Sequence, residues 1–283
     1  MQMNITNADL HCHSVVSDGT LSPEALAIRA HSNGVELWSL TDHDVIGGQE
    51  RAQKAALNLG MKYVSGVEIS VSFMDQTIHI VGLGINPEHA GLIAGLLQTR
   101  DGRVARGKLM ANQLAEVGIP DAYEGAMQFC GNPELLSRTH FARFLVDKKV
   151  CKDIEEVFKR FLTPGNPGYV EHAWATLREA VTWITSSGGV AVIAHPGRYR
   201  LTELQKDEMY KSFKEFGGQG IEVITGSHAP YQYHEYEKVA LRYGFYASRG
   251  ADFHSPDESH TDLGTLPTLP SSLKPVWSLF NFN

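Results

Sequence analysis

The segment ADLHCHSVVSDGT (residues 8–20) is typical of a buried strand that runs into a polar turn, and a helix is predicted directly after it. Ser22 is the predicted N-cap of that helix, Pro23 is its first residue, and Gly34 lies just past its end. Further strand and helix pairs follow along the chain. Repeated units of this kind with short, glycine-containing links favour an α/β fold with a parallel sheet.

The other elements are predicted from the same apolar periods and glycine stops. Strands are predicted at residues 8–13, 35–44, 62–70, 78–85, 190–195, 220–225 and 246–254, and helices at 22–34, 47–60, 176–189, 203–218 and 231–244. The strand at 78–85 follows a turn-like FMDQT segment, so we expect it to run antiparallel to the strand before it. Residues 87–168 are helical and charged, which predicts an inserted helical cap between two parts of one body, 1–86 and 169–283.

The composition excludes several classes of protein. The 283 residues carry a net charge of −7, which argues against general binding of polyanions, because such binding depends on clustered Lys and Arg. The chain starts without a basic region followed by an apolar run, and no segment is apolar over the thickness of a bilayer. The three cysteines form no C-x-x-C pair. We expect a cytoplasmic enzyme that does not bind a membrane, and we infer no obligate protein partner.

Polar residues of one chemical kind stand at the predicted strand ends. They are six histidines and three carboxylates: His11, His13, Asp18, His43, Glu68, His79, His195, Asp252 and His254. Sites in parallel sheets lie at the carboxyl ends of the strands, so these side chains are expected to lie together, with Asp42 and Asp44 behind them. Each histidine alone has an ordinary explanation as a buried or surface residue, and Asp18 as a turn residue. Coincidence is a poorer explanation when all nine residues fall at one predicted end of the sheet.

The spacing of these residues suits metal binding. Residues i and i+2 of a strand lie on one face, about 7 Å apart, so His11 and His13 can share an ion while Cys12 points to the other side. Asp252 and His254 repeat this spacing. One catalytic ion takes about three or four protein ligands, so the nine candidates predict two or three divalent ions. Mixed imidazole and carboxylate ligands suit Zn²⁺, Mn²⁺ or Fe²⁺ better than Ca²⁺ or Mg²⁺.

The ordered motifs DLHCHSVVSDGT, LTDHD, GVEIS, HIVGLGI, AHPGR and GADFH resemble those of the PHP (polymerase and histidinol phosphatase) superfamily of phosphoesterases. NPELLSRTHFARFLVD, FLTPGNPGYVEH and GGQGIEV are similar to the branch that contains 3′,5′-nucleoside bisphosphate phosphatases and 5′-to-3′ exonucleases acting on short RNA. The resemblance implies a distorted (β/α)₇ barrel with a helical insertion. It also implies three ions, one held by His11, His13, Glu68 and Asp252, a second by Glu68, His79 and His195, and a third by Asp18, His43 and His254. Asp44 would orient an imidazole.

The resemblance predicts a metal-dependent phosphomonoesterase that hydrolyses the 3′-phosphate of 3′,5′-nucleoside bisphosphates by attack of a metal-bridging hydroxide. Mn²⁺ is the expected metal, with Zn²⁺ or Fe²⁺ as alternatives. The expected partner is a small phosphorylated nucleotide. Alternative functions are 5′-to-3′ exonuclease action on short 5′-phosphorylated RNA, hydrolysis of histidinol phosphate or another sugar phosphate, and a noncatalytic metal-binding module.

A bisphosphate substrate carries a second phosphate that is not hydrolysed, and this phosphate requires cationic side chains beside the metal site. Arginine suits bidentate phosphate contact, although arginines on exposed helices are often only solvated. The residues predicted to bind substrate are Arg103, Arg106, Arg138, His140 and Arg198. Arg103 and Arg106 are three positions apart and share one helical face. Phe141, Tyr169 and Trp174 are candidates for stacking on a base.

Overall fold

The computed structural model describes residues 5–282, so residues 1–4 and 283 of the predicted body lie outside it. Its strands are β1 (Ala8–Asp9), β2 (Leu37–Trp38), β3 (Lys62–Tyr63), β4 (Gly66–Phe73), β5 (Gln76–Leu83), β6 (Ala175–Thr176), β7 (Val190–Ile193), β8 (Gly220–Thr225) and β9 (Tyr246–Gly250). One sheet has the parallel order β1–β2–β3, and the other has the order β6–β4–β5–β7–β8–β9. The strand predicted at 62–70 is therefore divided between β3 and β4.

Backbone hydrogen bonds join the two sheets on both sides. The N–H of Leu10 donates to the carbonyl of Arg249 (3.0 Å), and the N–H of Asp44 donates to the carbonyl of Glu68 (2.8 Å). β5 runs antiparallel to β4 as predicted, whereas β7, β8 and β9 pair in parallel. The predicted α/β fold with a largely parallel arrangement is confirmed. The number of strand–helix units in the barrel, seven, remains a prediction, and the observed strand pairings are consistent with it.

The helices follow the strands and cover the sheets. They are α1 (Pro23–Ser32), α2 (Gln49–Asn58), α3 (Ala90–Arg100), α4 (Arg103–Glu116), α5 (Ala122–Met127), α6 (Arg138–Asp147), α7 (Ile154–Val157), α8 (Leu177–Ser186), α9 (Glu203–Glu215) and α10 (Pro230–Tyr243). Ser22 caps α1 as predicted, because its side chain accepts the N–H of Ala25. Thr176 and Glu179 form a capping box at the start of α8. Among residues 5–282, no helix combines the length and the apolar character that a membrane span requires.

Two hydrophobic clusters divide the helical segment 87–168. One cluster lies wholly within this segment. It contains Met110, Leu114, Phe141 and Leu162, which belong to α4, α6 and the segment after α7. Leu92 and Leu96 of α3 instead pack in the main core between sheets and helices. Within residues 87–168, the separately packed part therefore begins at α4.

The regular strands end earlier than predicted at the edge that carries the candidate ligands. β1 ends at Asp9, β2 at Trp38 and β9 at Gly250. Asp44, His195 and Asp252 adopt positive φ angles of 53°, 24° and 54°, a region that residues other than glycine rarely occupy. Such a residue turns the chain out of the extended conformation, and strained backbone of this kind clusters at functional sites. The candidate ligands consequently lie on irregular segments just beyond the strands.

Candidate metal centre

The first group of candidate ligands lies where the segments after β1 and β9 meet β4. Nε2 of His11 is 3.3 Å from Oε2 of Glu68 and 3.5 Å from Oδ1 of Asp252. Nε2 of His13 is 3.2 and 3.4 Å from the same two oxygens. The sulfur of Cys12 points away, toward the carbonyl of Ser39. His11 and His13 thus lie on one side of the chain and Cys12 on the other, and the four buried side chains His11, His13, Glu68 and Asp252 could hold one ion.

A second group shares Glu68 through its other carboxylate oxygen. Oε1 of Glu68 lies 2.9 Å from Nδ1 of His79 and 3.0 Å from Nε2 of His195. Those two ring nitrogens are 3.3 Å apart. Nδ1 of His43 is also 3.1 Å from Oε2 of Glu68, so His43 reaches this group as well as the next one. Glu68 therefore lies between two clusters of imidazoles.

The third group contains Asp18, His43 and His254, with His13 beside them. Oδ1 of Asp18 lies 3.6 Å from Nε2 of His254 and 3.8 Å from Nδ1 of His13. The ring of His13 stacks against those of His43 and His254, with centroid distances of 4.5 and 4.1 Å. All nine predicted ligands thus converge on one place in the fold.

Glycine at two motif positions permits this convergence. A Cβ atom on Gly250 would lie 2.4 Å from the Cβ of His11, and one on Gly19 would lie 2.0 Å from the carbonyl oxygen of His13. Both distances are far inside van der Waals contact. The Ser-Asp-Gly turn therefore requires glycine so that Asp18 can reach the imidazoles, and the end of β9 requires it so that His11 can pack there.

The donor set fits divalent cations. Oε2 of Glu68 and Nδ1 of His43 are buried, and although imidazole nitrogens lie 3.1–3.3 Å from Oε2, neither atom forms a hydrogen bond among the described residues. An unpaired buried polar atom costs about 1–3 kcal/mol, which bound cations would offset. The ligands are imidazole nitrogens and carboxylate oxygens without thiolate, as in catalytic sites for Mn²⁺, Zn²⁺ or Fe²⁺.

Burial and neighbouring charges shift the pKa values of the candidate ligands. Burial alone would raise the pKa of Asp18, but His43 and the other nearby imidazoles hold it well below its usual range. Burial lowers the pKa of His195 to about 3. Burial would also lower the pKa of His13, yet hydrogen bonds to the adjacent carboxylates raise it to about 10. Ionised carboxylates and neutral imidazoles are the ligating forms, and carboxylates that favour a proton on His13 equally favour a metal cation there.

Glu222 of β8 was not anticipated from the sequence. Its Oε1 accepts a hydrogen bond from Nδ1 of His11 (2.7 Å), and its Oε2 accepts one from the backbone N–H of His195 (2.6 Å). A carboxylate behind a ligating histidine fixes the tautomer and orientation of the ring. A single acidic residue inside the apolar run GIEVIT is the signal that could have identified it.

His228 was also missed, and Asp44 has a partner other than the one expected. Nε2 of His228 accepts the N–H of Gly197, so this buried ring anchors the loop between His195 and Arg198. Asp44 was predicted to orient an imidazole, which is wrong. Its carboxylate accepts hydrogen bonds from Ser70 and forms a buried ion pair with Arg103 of the insertion, because a guanidinium is the stronger donor.

Four of the nine metal-ligand candidates line a cavity of about 120 Å³, namely Asp18, His43, His79 and His254. Four arginines line it: Arg103, Arg106, Arg138 and Arg198. Arg198 lies 3.2 Å from Asp252. The guanidiniums of Arg106 and Arg138 donate to the carbonyls of Val170 and Leu162, and no carboxylate pairs with either among residues 5–282. Burial lowers the pKa of Arg106 to about 9, and the positive charge of Arg138 acts in the same direction.

The other predicted substrate residues occupy different places. His140 is buried outside the described cavity lining, and its Nδ1 accepts the N–H of Ser137 at the start of α6. Phe141 is fully buried in the core of the insertion, so its ring is not available for stacking on a base. Trp174 lines the cavity, with the guanidinium of Arg103 4.5 Å from its ring centroid.

Comparison with known proteins agrees with this geometry. The family model described as PHP domain matches residues 9–163. A "3′,5′-nucleoside bisphosphate phosphatase" from Chromobacterium violaceum is 48% identical, over 96% of each chain. A "5′-3′ exoribonuclease" from Haemophilus influenzae is 36% identical, over 96% of this chain and 98% of the relative.

A solved structure from Chromobacterium violaceum, described as an amidohydrolase with bound sulfate and no metal, superposes with a TM-score of 0.94. It is 47% identical and covers 96% of this chain and 95% of the other. The resemblance drawn from the motifs is thereby confirmed. With the motifs, the arrangement of their side chains and these matches in agreement, the chain belongs to the PHP domain family.

Proposed function

We propose that this chain is a metal-dependent phosphomonoesterase that removes the 3′-phosphate from 3′,5′-nucleoside bisphosphates, leaving a nucleoside 5′-monophosphate and phosphate. The observation that carries the proposal is that candidate metal ligands and four arginines line one small cavity. This arrangement suits a compact substrate with two anionic groups. The 48% identity to a relative named for this activity, over 96% of both chains, supports the same assignment.

The proposed site holds three divalent ions, with Mn²⁺ favoured over Zn²⁺ and Fe²⁺. The sets are His11, His13, Glu68 and Asp252; Glu68, His79 and His195; and Asp18, His43 and His254. When bound, such ions activate water and polarise phosphate oxygens. The residues of the chain would hold these ions in place. Glu68 joins the first two sets because its Oε2 faces His11 and His13, with His43 also near, while its Oε1 faces His79 and His195.

Arg106 and Arg138 are proposed to bind the phosphate that is not hydrolysed. Arg106 is buried and Arg138 is half-buried. Both donate to backbone carbonyls and lack carboxylate partners among the described residues, whereas Arg103 is paired with Asp44. A buried charge without a counter-ion is costly, so an incoming phosphate supplies the missing partner. Arg198 is placed beside the metal ligands. His140 would act by capping the helix that begins with Arg138.

The positions of these residues suggest separate roles for the two parts of the chain. We propose that the body formed by residues 1–86 and 169–283 binds the metals, and that the insertion, residues 87–168, determines the substrate. Arg103, Arg106 and Arg138 of the insertion line the cavity. Arg143 of α6 forms a bidentate ion pair with Glu258, in which Nε and Nη2 of the guanidinium lie 2.7 and 2.8 Å from the two carboxylate oxygens. This pair fixes the insertion against the segment after His254.

A substrate panel tests the proposal. The protein is stripped of metal and reconstituted with Mn²⁺, and phosphate release is measured from adenosine 3′,5′-bisphosphate, AMP, histidinol phosphate and a short 5′-phosphorylated RNA. We expect the highest kcat/KM for the bisphosphate, with AMP as the product. Release of mononucleotides from RNA at a higher kcat/KM would favour the exonuclease, which relatives at 36–37% identity support. Preference for histidinol phosphate would assign a sugar-phosphate phosphatase.

A further inference from the structure

The cavity at the metal centre is too small for a whole nucleotide. Its volume is about 120 Å³, and pockets for small organic ligands usually measure about 300–1,000 Å³. A second cleft of about 520 Å³ lies next to it, between the β4–β5 hairpin and residues 169–173, and Thr77 lines both spaces. Neither the proposed metal sites nor the arginines use this second cleft.

The chemistry of the cleft differs from that of the cavity. Its described lining contains no Lys or Arg, while Asp75 and Glu171 contribute carboxylates. Phe73, Met74 and Tyr169 add aromatic and apolar surface. Phosphate would be repelled there, whereas a flat neutral ring with amino groups could pack on the aromatic side chains and donate hydrogen bonds to the carboxylates.

Tyr169 connects the cleft to the arginine side of the cavity. The carbonyl of Val170, the residue after Tyr169, accepts a hydrogen bond from Arg106 of the cavity at 2.9 Å, so the chain at Tyr169 lies beside the arginines. The backbone of Tyr169 is held by its N–H, which donates to the carbonyl of Asn166 at 3.1 Å. On the other side, the indole N–H of Trp174 donates to Thr77 Oγ1 at 3.2 Å. The backbone of Tyr169 on the cleft and the indole of Trp174 on the cavity are thus each held by a hydrogen bond.

We propose that this cleft binds the base of the nucleotide, with the ring of Tyr169 as its stacking surface. This inference rests on the proposed bisphosphate substrate. It adds the place where the base, the part that carries no phosphate, is recognised. The phosphates would occupy the cationic cavity, and the base would extend past Thr77 into the neutral and acidic cleft. The carboxylates of Asp75 and Glu171 also oppose the next phosphate of a longer strand, which favours a mononucleotide over RNA.

The test compares two substrates that differ only in the base, adenosine 3′,5′-bisphosphate and ribose 3,5-bisphosphate. The measured quantity is the ratio of their kcat/KM values. Stacking of one base on an aromatic side chain is worth about 1–3 kcal/mol, so Tyr169→Ala is expected to lower the ratio by about 5- to 150-fold. Tyr169→Phe keeps the ring and is expected to keep the ratio of the wild type, which also separates stacking from loss of folding.

Tyr231→Ala serves as the matched control, because Tyr231 is an exposed tyrosine on α10 and does not line either space. A ratio in Tyr169→Ala equal to that of the wild type would overturn the base cleft while leaving the phosphatase assignment intact. Failure of the wild-type protein to hydrolyse either bisphosphate would overturn the proposed function, and the base cleft with it. The two failures are therefore distinguishable.

Discussion

Replacing Glu222 with glutamine turns one of two hydrogen-bond acceptors into a donor. In the native site, Oε1 of Glu222 accepts from Nδ1 of His11 at 2.7 Å, and Oε2 accepts from the N–H of His195 at 2.6 Å. Glutamine has a single side-chain oxygen, so it can accept from only one of these donors, and its NH₂ group then faces the other. Glu222 is buried, and water cannot replace the lost partner.

The magnitude follows from that lost contact. A hydrogen bond to a charged group is worth about 1.5–3 kcal/mol, and substitutions behind metal ligands typically weaken metal binding about 10- to 100-fold. His11 and His195 belong to different proposed ion sets, so whichever bond is lost, one of the two sets loses its support. We expect Glu222→Gln to weaken Mn²⁺ binding at one or two sites by about 10- to 100-fold.

The assay is a titration of metal-free protein with Mn²⁺ against a competing chelator, read as bound metal per chain. Glu50→Gln on the solvent side of α2 is the matched control, because it makes the same chemical change at an exposed position. Circular dichroism of the metal-free variant checks that the fold is retained. Unchanged Mn²⁺ affinity at every site in a folded Glu222→Gln protein would refute the role of Glu222 as the support of both ligands.

Three further outcomes are expected. Asp252→Ala should bind fewer Mn²⁺ ions per chain than the wild type by elemental analysis, and equal metal content would contradict its place in the first set. Arg106→Ala and Arg138→Ala should raise KM for a bisphosphate far more than for a monophosphate; equal increases would remove them from the second-phosphate site. Burial lowers the pKa of His228 from 6.5 to about 4, so its contribution to stability is complete above pH 6.5 and is lost as the pH falls toward 4. In urea unfolding of metal-free protein, His228→Gln should therefore lose about 2 kcal/mol less than the wild type between pH 7 and pH 5, and identical losses would contradict this.

That the candidate metal ligands lie together could be predicted from the sequence, because part of their signal is local. His11 and His13 follow a strand at the i, i+2 spacing, and this spacing places both rings on one side even where the regular strand has already ended. The antiparallel β4–β5 pair was also predictable, since a short turn leaves little alternative. That pair brings His79 to Glu68. In both cases the two residues are close in sequence, so the local geometry of the chain restricts how far apart their side chains can lie.

The supports behind the ligands could not be predicted in the same way. Glu222 contacts His11 across 211 positions of sequence, and His228 contacts Gly197 across 31. Neither residue belongs to a short motif, and a strand with one buried acid satisfies the same apolar pattern as many core strands. Only the closed arrangement of the sheets brings these residues behind the site.

Asp44 shows most directly how the insertion takes part in the metal centre. The residue directly follows the candidate ligand His43, has a positive φ angle of 53°, and pairs with Arg103, which is 59 positions further along the chain. A left-handed backbone conformation at a non-glycine residue costs about 1–3 kcal/mol, and the ion pair with a buried guanidinium helps to hold it. Arg103 also covers Trp174 in the cavity wall. The same arginine thus supports the backbone beside a candidate metal ligand and lines the cavity, so the insertion contributes to the proposed metal centre as well as to the proposed substrate site.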